Sequence, residues 1–257
     1  MPGTATLRLD FGSHDSQDND KRLEDFKKAR GVQFVLAFSG GADDGSPMVT
    51  SMLEGIREQC LATTTPSEFD ALVKRFKKKY IADIVRDVLG PLRGYKIAIL
   101  TGGTSWGVPA VAAEVAKEFG FPTIGVFPLI ATTKTSNMLP EGMLDLSICV
   151  HPTVGESMWG DEGVVYTKLL SAVIIIGGRA GTMVEVTHLL KQNENKRFAM
   201  KPIIPITGTG GTADMLAYFP GNQNVMAKSL PRHIITDGKG AFAHLIDQGI
   251  ITDDLFD

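Results

Sequence analysis

Cysteine is scarce: only Cys60 and Cys149 occur in 257 residues, too few for a disulfide scaffold. The five histidines, His14, His151, His188, His233 and His244, are scattered, with no His or Cys pair at the short spacing of a zinc site, so no metal is expected. No apolar run approaches the roughly 18 residues a membrane-spanning helix requires. The start, Met1-Pro2-Gly3, lacks the basic and apolar segments of a signal peptide, and the expectation is a cytoplasmic protein that does not engage membranes. Nor is there an excess of positive charge. Lys plus Arg number 26 and Asp plus Glu 29, for a net charge of −3, which argues against a protein that wraps nucleic acid. The one basic run, Lys77 to Lys79, reads as a solvated helix face.

What is present is a chain of ordinary globular composition, with 43% hydrophobic residues, enough to bury a sizeable core. Residues 13–30 are polar and almost free of aliphatics, so residues 1–30 read as an exposed lead-in or short surface helix, and 31–257 as one domain. Within it, short apolar runs alternate with longer helical patterns, the signature of βαβ units and a parallel sheet. The predicted strands are Val32 to Phe38, Lys96 to Leu100, Pro122 to Phe127, Asp145 to Val150, Ser171 to Ile176 and Pro202 to Ile206. Several are apolar throughout, as strands covered by helices on both faces must be. A stripe from Phe69 to Val88 at helical spacing predicts a long core helix, N-capped at Ser67 and closed by Gly90-Pro91. The fold class is therefore α/β, a Rossmann-like parallel sheet with helices on both faces.

One local device occurs four times: a strand running into glycines and then a helix, at Phe38 to Gly45, Leu100 to Gly107, Ile176 to Thr182 and Ile206 to Thr212. In a parallel sheet all four loops share one edge and converge on a crevice. Glycine lets the backbone approach a ligand, and each following helix offers free N–H groups and the positive end of its dipole. Such loops can be turns and nothing more, but four at matching positions favour a phosphate-bearing ligand.

The most informative stretch is residues 171–190: a buried strand, then Gly177, Gly178, Arg179, Gly181 and Thr182, with Glu185 one turn into the helix. It resembles the P-G-G-x-G-T-x-x-E motif of the LOG family of cytokinin-activating phosphoribohydrolases, within the wider SLOG superfamily. Gly177 stands for the proline and Arg179 for the second glycine, while Gly178, Gly181, Thr182 and Glu185 match. Residues 99–128 are similar to the superfamily's glycine turn, helix and following strand, and residues 35–42 to the first strand and turn of its nucleotide-sensing modules. The resemblance spans roughly 32–216. It implies a Rossmann-like sheet, a bound nucleoside phosphate and a homodimer, with no further cofactor. In the hydrolase branch the motif glutamate and an arginine on the preceding helix act on the N-glycosidic bond of a nucleoside monophosphate. Here residues 161–168 contain no arginine, and their one cation is Lys168.

Two readings follow: a protein binding a nucleoside phosphate or ADP-ribose-like ligand and cleaving its glycosidic bond with the help of Glu185, or a non-catalytic nucleotide sensor or carrier. The ligand-binding set is Gly40, Gly41, Gly102, Gly103, Ser105, Gly177, Gly178, Arg179, Gly181 and Thr182. Arg179 either points outward or folds back as a phosphate clamp. Glu185 is either a glutamate favoured by the helix dipole or a ribose contact. Trp106 and Trp159, both in glycine-rich loops, are packing anchors or a base-stacking platform with Asp161 and Glu162 beside it. A third reading comes from Gly103-Thr104-Ser105-Trp106-Gly107, which spells a G-x-S-x-G nucleophile elbow, with Asp214 or Asp237 and His244 in the chain order of a serine hydrolase. Gly208 to Ala213 fits a dinucleotide fingerprint, but no acidic residue ends a following strand, and no glycine loop continues into Gly-Lys-Ser/Thr.

Overall fold

The computed structural model describes residues 16–41, 47–61 and 63–256. Six strands, β1 (Phe34–Gly40), β2 (Ile97–Thr101), β3 (Thr123–Pro128), β4 (Leu146–Val150), β5 (Ala172–Ile176) and β6 (Ile203–Ile206), form one sheet in the order β4-β3-β2-β1-β5-β6. Every pairing is parallel. All six predicted strands are present, each starting one or two residues later than predicted. The helices are α1 (Ser16–Arg30), α2 (Pro47–Gly55), α3 (Arg57–Leu61), α4 (Pro66–Leu89), α5 (Gly107–Glu118), α6 (Gly163–Leu169), α7 (Ala180–Glu194), α8 (Gly211–Met215), α9 (Gln223–Ser229) and α10 (Gly238–Asp247).

The pleat divides β1, β2, β5 and β6 between two cores. Leu36 and Phe38 of β1, Ile97 and Ile99 of β2, and Ile174 and Ile176 of β5 pack with α4, α5 and α10. Their alternates Val35 and Ala37, Ala98 and Leu100, and Val173 and Ile175 pack with α1, α6, α7 and α9. This double burial explains why the strands lack polar alternation. In α1, Leu23 is buried in the second core, Phe26 packs against it, and Arg22 donates to the Ser147 carbonyl at 2.8 Å.

The long helix α4 begins two residues earlier than the sequence predicted. Thr65, not Ser67, is the N-cap: its hydroxyl accepts from the Glu68 N–H at 3.3 Å while the Glu68 carboxylate accepts from the Thr65 N–H at 2.7 Å, and Pro66 fills the first helical position. Gly90 closes the helix as expected.

Candidate functional site

From β1 the chain steps through β2, β3 and β4 on one side of the sheet, then returns to place β5 and β6 on the other. The carboxyl ends of β1 and β5 are thus the topological switch point, where open α/β sheets leave a crevice.

At this edge the glycines have separate tasks. Gly40 sits opposite Ile176; a Cβ there would lie 2.2 Å from the Ile176 carbonyl oxygen and 2.5 Å from Val108, so its bareness lets β1, β5 and α5 close together. Gly41 is buried, its carbonyl accepting from the Val108 N–H at 3.2 Å. The continuation of that loop, 42–46, falls outside the described residues. After β5, Gly177 (φ 61°) and Gly178 (φ 101°) adopt backbone angles that other residues resist. The Gly177 N–H donates to Thr209 Oγ1 at 2.8 Å, and the Gly177 and Gly178 carbonyls accept from Ala213 and Thr212 at 2.9 Å each. A Cβ on Gly178 would meet Thr182 at 2.7 Å, and one on Gly211 would lie 2.0 Å from the Gly178 carbonyl oxygen. The loops after β5 and β6 are therefore knitted together by their backbones, with buried Thr182 beneath.

What stays open is the start of α7. Arg179 is its N-cap residue, exposed and without a side-chain cap. Gly181 is exposed, with open space where a Cβ would stand. The first helical N–H groups have no carbonyl within the helix to meet.

Beneath this helix end lies a polar cluster assembled across the sequence. Glu185, on α7, accepts a short hydrogen bond from the hydroxyl of Ser39, the penultimate residue of β1. Burial, together with the charge of Glu162, raises the Glu185 carboxyl from 4.5 to about 8 despite that bond. Burial likewise raises Glu162, whose carboxylate accepts from the Gly160 N–H at 2.9 Å. Tyr166, on α6, is buried beside both, donates to the Phe38 carbonyl at 3.0 Å, and is pushed well above its ordinary value by burial and the two carboxyls. Glu185 is thus largely protonated at neutral pH, able to donate as well as accept. Ser39 and Tyr166 escaped the sequence reading because strand and helix meet here across more than 120 residues.

The loop after β2 is directed elsewhere. Gly102 packs against Pro109, and a Cβ on Gly103 (φ 65°) would lie 2.6 Å from Phe127. Ser105 receives its partners from a turn beyond β3: its hydroxyl donates to the Ser136 carbonyl at 2.5 Å and its N–H to the Asn137 carbonyl at 2.9 Å. The serine-hydrolase reading fails on this geometry. His244, on α10, packs against His233, while Asp214 accepts from the N–H groups of Gly208 and Gly210 and Asp237 caps α10. Trp106, the N-cap residue of α5, meets Trp159 edge-on, ring centres 5.8 Å apart. Asp161 holds the turn below by accepting from the Met158 N–H at 2.8 Å. Lys168, the one cation on the helix where the resemblance calls for an arginine, pairs with Asp20 of α1 at 2.5 Å.

Among the described residues no group of three or more His, Cys, Asp or Glu could hold a metal ion, and no helix is long and apolar enough to cross a membrane.

No curated protein matches the sequence. Among solved structures, that of TM1055 is similar with a TM-score of 0.53 at 17% identity, over 84% of this chain and 99% of that one. The molybdenum cofactor carrier protein of Chlamydomonas reinhardtii is similar with a TM-score of 0.50 at 19% identity, over 85% and 98% of the two chains. The molybdenum cofactor binding protein of Rippkaea orientalis gives 0.50 at 17%, with the same coverage. At these identities the likeness speaks for the fold, a Rossmann-like α/β sheet. The profile of the SLOG cluster4 family matches residues 83–217, just over half of the chain and including the Gly177–Glu185 motif. The resemblance seen in the glycine turns is borne out, and the chain belongs to the SLOG cluster4 family.

Proposed function

We propose that this protein binds a phosphate-bearing, nucleotide-like ligand at the carboxyl edge of its sheet, the phosphate at the start of α7 and the sugar hydroxyls at Glu185, and holds it without cleaving it. The observation that carries this reading is the Ser39–Glu185 pair under an open helix end: a desolvated carboxyl with one hydrogen-bond donor lies one turn below N–H groups suited to an anion. The non-catalytic half is supported by Lys168. A guanidinium fork would stabilise a departing, charge-separated sugar; the lysine here is paired with Asp20 of α1. The names of two structural neighbours, a carrier and a binding protein for the molybdenum cofactor, agree with a carrier role.

Glycosidic cleavage is the second reading, favoured by the protonated state of Glu185, which suits donation of a proton to a leaving base. Proton NMR with AMP and, separately, ADP-ribose decides. Line-broadening of an intact ligand is expected. Release of adenine, abolished in Glu185→Gln, would establish the cleavage reading, and absence of any response to either ligand would overturn both.

A further inference from the structure

At the opposite edge of the sheet, where Pro202 leads into β6, a second cavity of about 560 Å³ opens between the end of α9 and the last turn of α10. Lys228, Arg232, His233, His244 and Gln248 line it, and no carboxylate does. β6 separates it from the crevice by about 13 Å at the rise of a parallel strand, and nothing in the function proposed above uses it.

His244 is the informative residue. It is 8% exposed, its ring packs against His233 with centres 5.5 Å apart, and its Nδ1 is buried without a hydrogen-bond partner among the described residues. Since Nδ1 is sealed off, Nε2 is the nitrogen left for a ligand. In the neutral ring a proton on Nε2 makes that nitrogen a donor. Gln248 adds an amide one turn further on. Lys228 and Arg232 supply fixed positive charge at the rim, and a guanidinium can grip two oxygens of one oxyanion at once. Asp247 is the carboxylate that acts on His244 from the same helix, and it is not among the lining residues. Two cations and the neutral donors of His244 and Gln248 around a concavity of ligand size, with no carboxylate in the lining, suit a compact anion with several acceptor oxygens.

We propose that this cavity is a second anion site, taking the phosphate group of a small metabolite between Arg232, Lys228 and the His233–His244 pair. The test uses the full chain and inorganic phosphate as probe, titrated against chloride at constant ionic strength, and follows the C2 protons of the five histidines by NMR, with His233→Gln identifying its own resonance. Saturable shifts of the His233 and His244 resonances are expected. The apparent affinity should fall about tenfold in Arg232→Gln, the loss of one charge-assisted pair, and by a smaller factor in Lys228→Gln. Both substituted side chains are exposed, so the variants retain the fold. The proposal is overturned if the two resonances do not move, if only other histidines respond, or if the shifts saturate equally in both variants.

Discussion

Two carboxyl groups, one at each edge of the sheet, show how differently the chain treats buried charge. Asp145, leading into β4, receives Lys117 Nζ at 2.7 Å, the Thr123 N–H at 2.8 Å, the Thr123 hydroxyl at 3.1 Å and Arg30 at 3.4 Å. Burial pushes it up, but Lys117 and the Thr123 bonds outweigh that and hold it below the usual carboxylate range. Glu185, past the end of β5, has a single hydroxyl donor and a second carboxyl as neighbour, and rises to about 8. Asp145 is a finished structural joint. Glu185 is a group left short of partners at the point where the topology opens a crevice, the pattern that the proposed ligand-binding role requires.

The sharpest way to break this contrast is to measure stability against pH in Glu185→Gln. A folded carboxyl with a raised pKa contributes stability that is fully present below its unfolded value and lost as pH rises through about 8. The variant should therefore gain on the wild type between about pH 4.5 and 8, by on the order of 4 kcal/mol from the size of the shift; parallel curves in denaturant melts would dissolve the distinction. Asp145→Asn should act in the opposite sense. It is expected to lose about 2–3 kcal/mol at neutral pH, because Lys117 and Thr123 keep their polar groups and lose the charge that met them. That penalty should shrink as acid titrates wild-type Asp145, below about pH 4; a penalty constant with pH would mean packing alone was lost.

A smaller effect tests whether the two glutamates act on each other. Glu162→Gln removes a like charge from Glu185 and should move the midpoint of its pH dependence down, worth about 1 kcal/mol at an effective dielectric between water and dry protein. An unmoved midpoint would leave burial as the whole cause. The smallest change is expected from Lys168→Ala, whose exposed pair with Asp20 should be worth less than about 1 kcal/mol. Ligand binding should be unaffected in that variant. A loss of AMP line-broadening would show that the lysine serves the crevice after all.

Legibility from sequence followed contact distance. The six strands could be read because burial on both faces leaves uninterrupted apolar runs such as Ala172–Ile176. Glu185 could be read because its motif is local. The start of α4 differs from the sequence expectation because Ser67 directly precedes Glu68 and competes as a cap with Thr65, whose capping box to Glu68 the structure shows. The partners of Glu185 were invisible for a different reason: Ser39 lies 146 positions away and meets it only when β1 and α7 are placed side by side. The glycine loops carried a mixed message. Their positions at one edge were legible, but the sequence does not reveal that Gly40, Gly103 and Gly211 serve close packing while Gly181 faces open space. The third reading, with His244 in a triad, rests on chain order, which says nothing about which edge of a sheet a residue reaches.

The seating of Gly211 on the Gly178 carbonyl has a thermodynamic consequence. Two loops that share backbone hydrogen bonds and leave no room for a methyl group between them are tied to each other, so the anion cradle proposed above would be ordered before a ligand arrives. The entropy that a pair of independent loops would surrender on binding was surrendered when the chain folded. Affinity for even a small ligand can then rest on few contacts, and prising the two loops apart should appear first as faster dissociation.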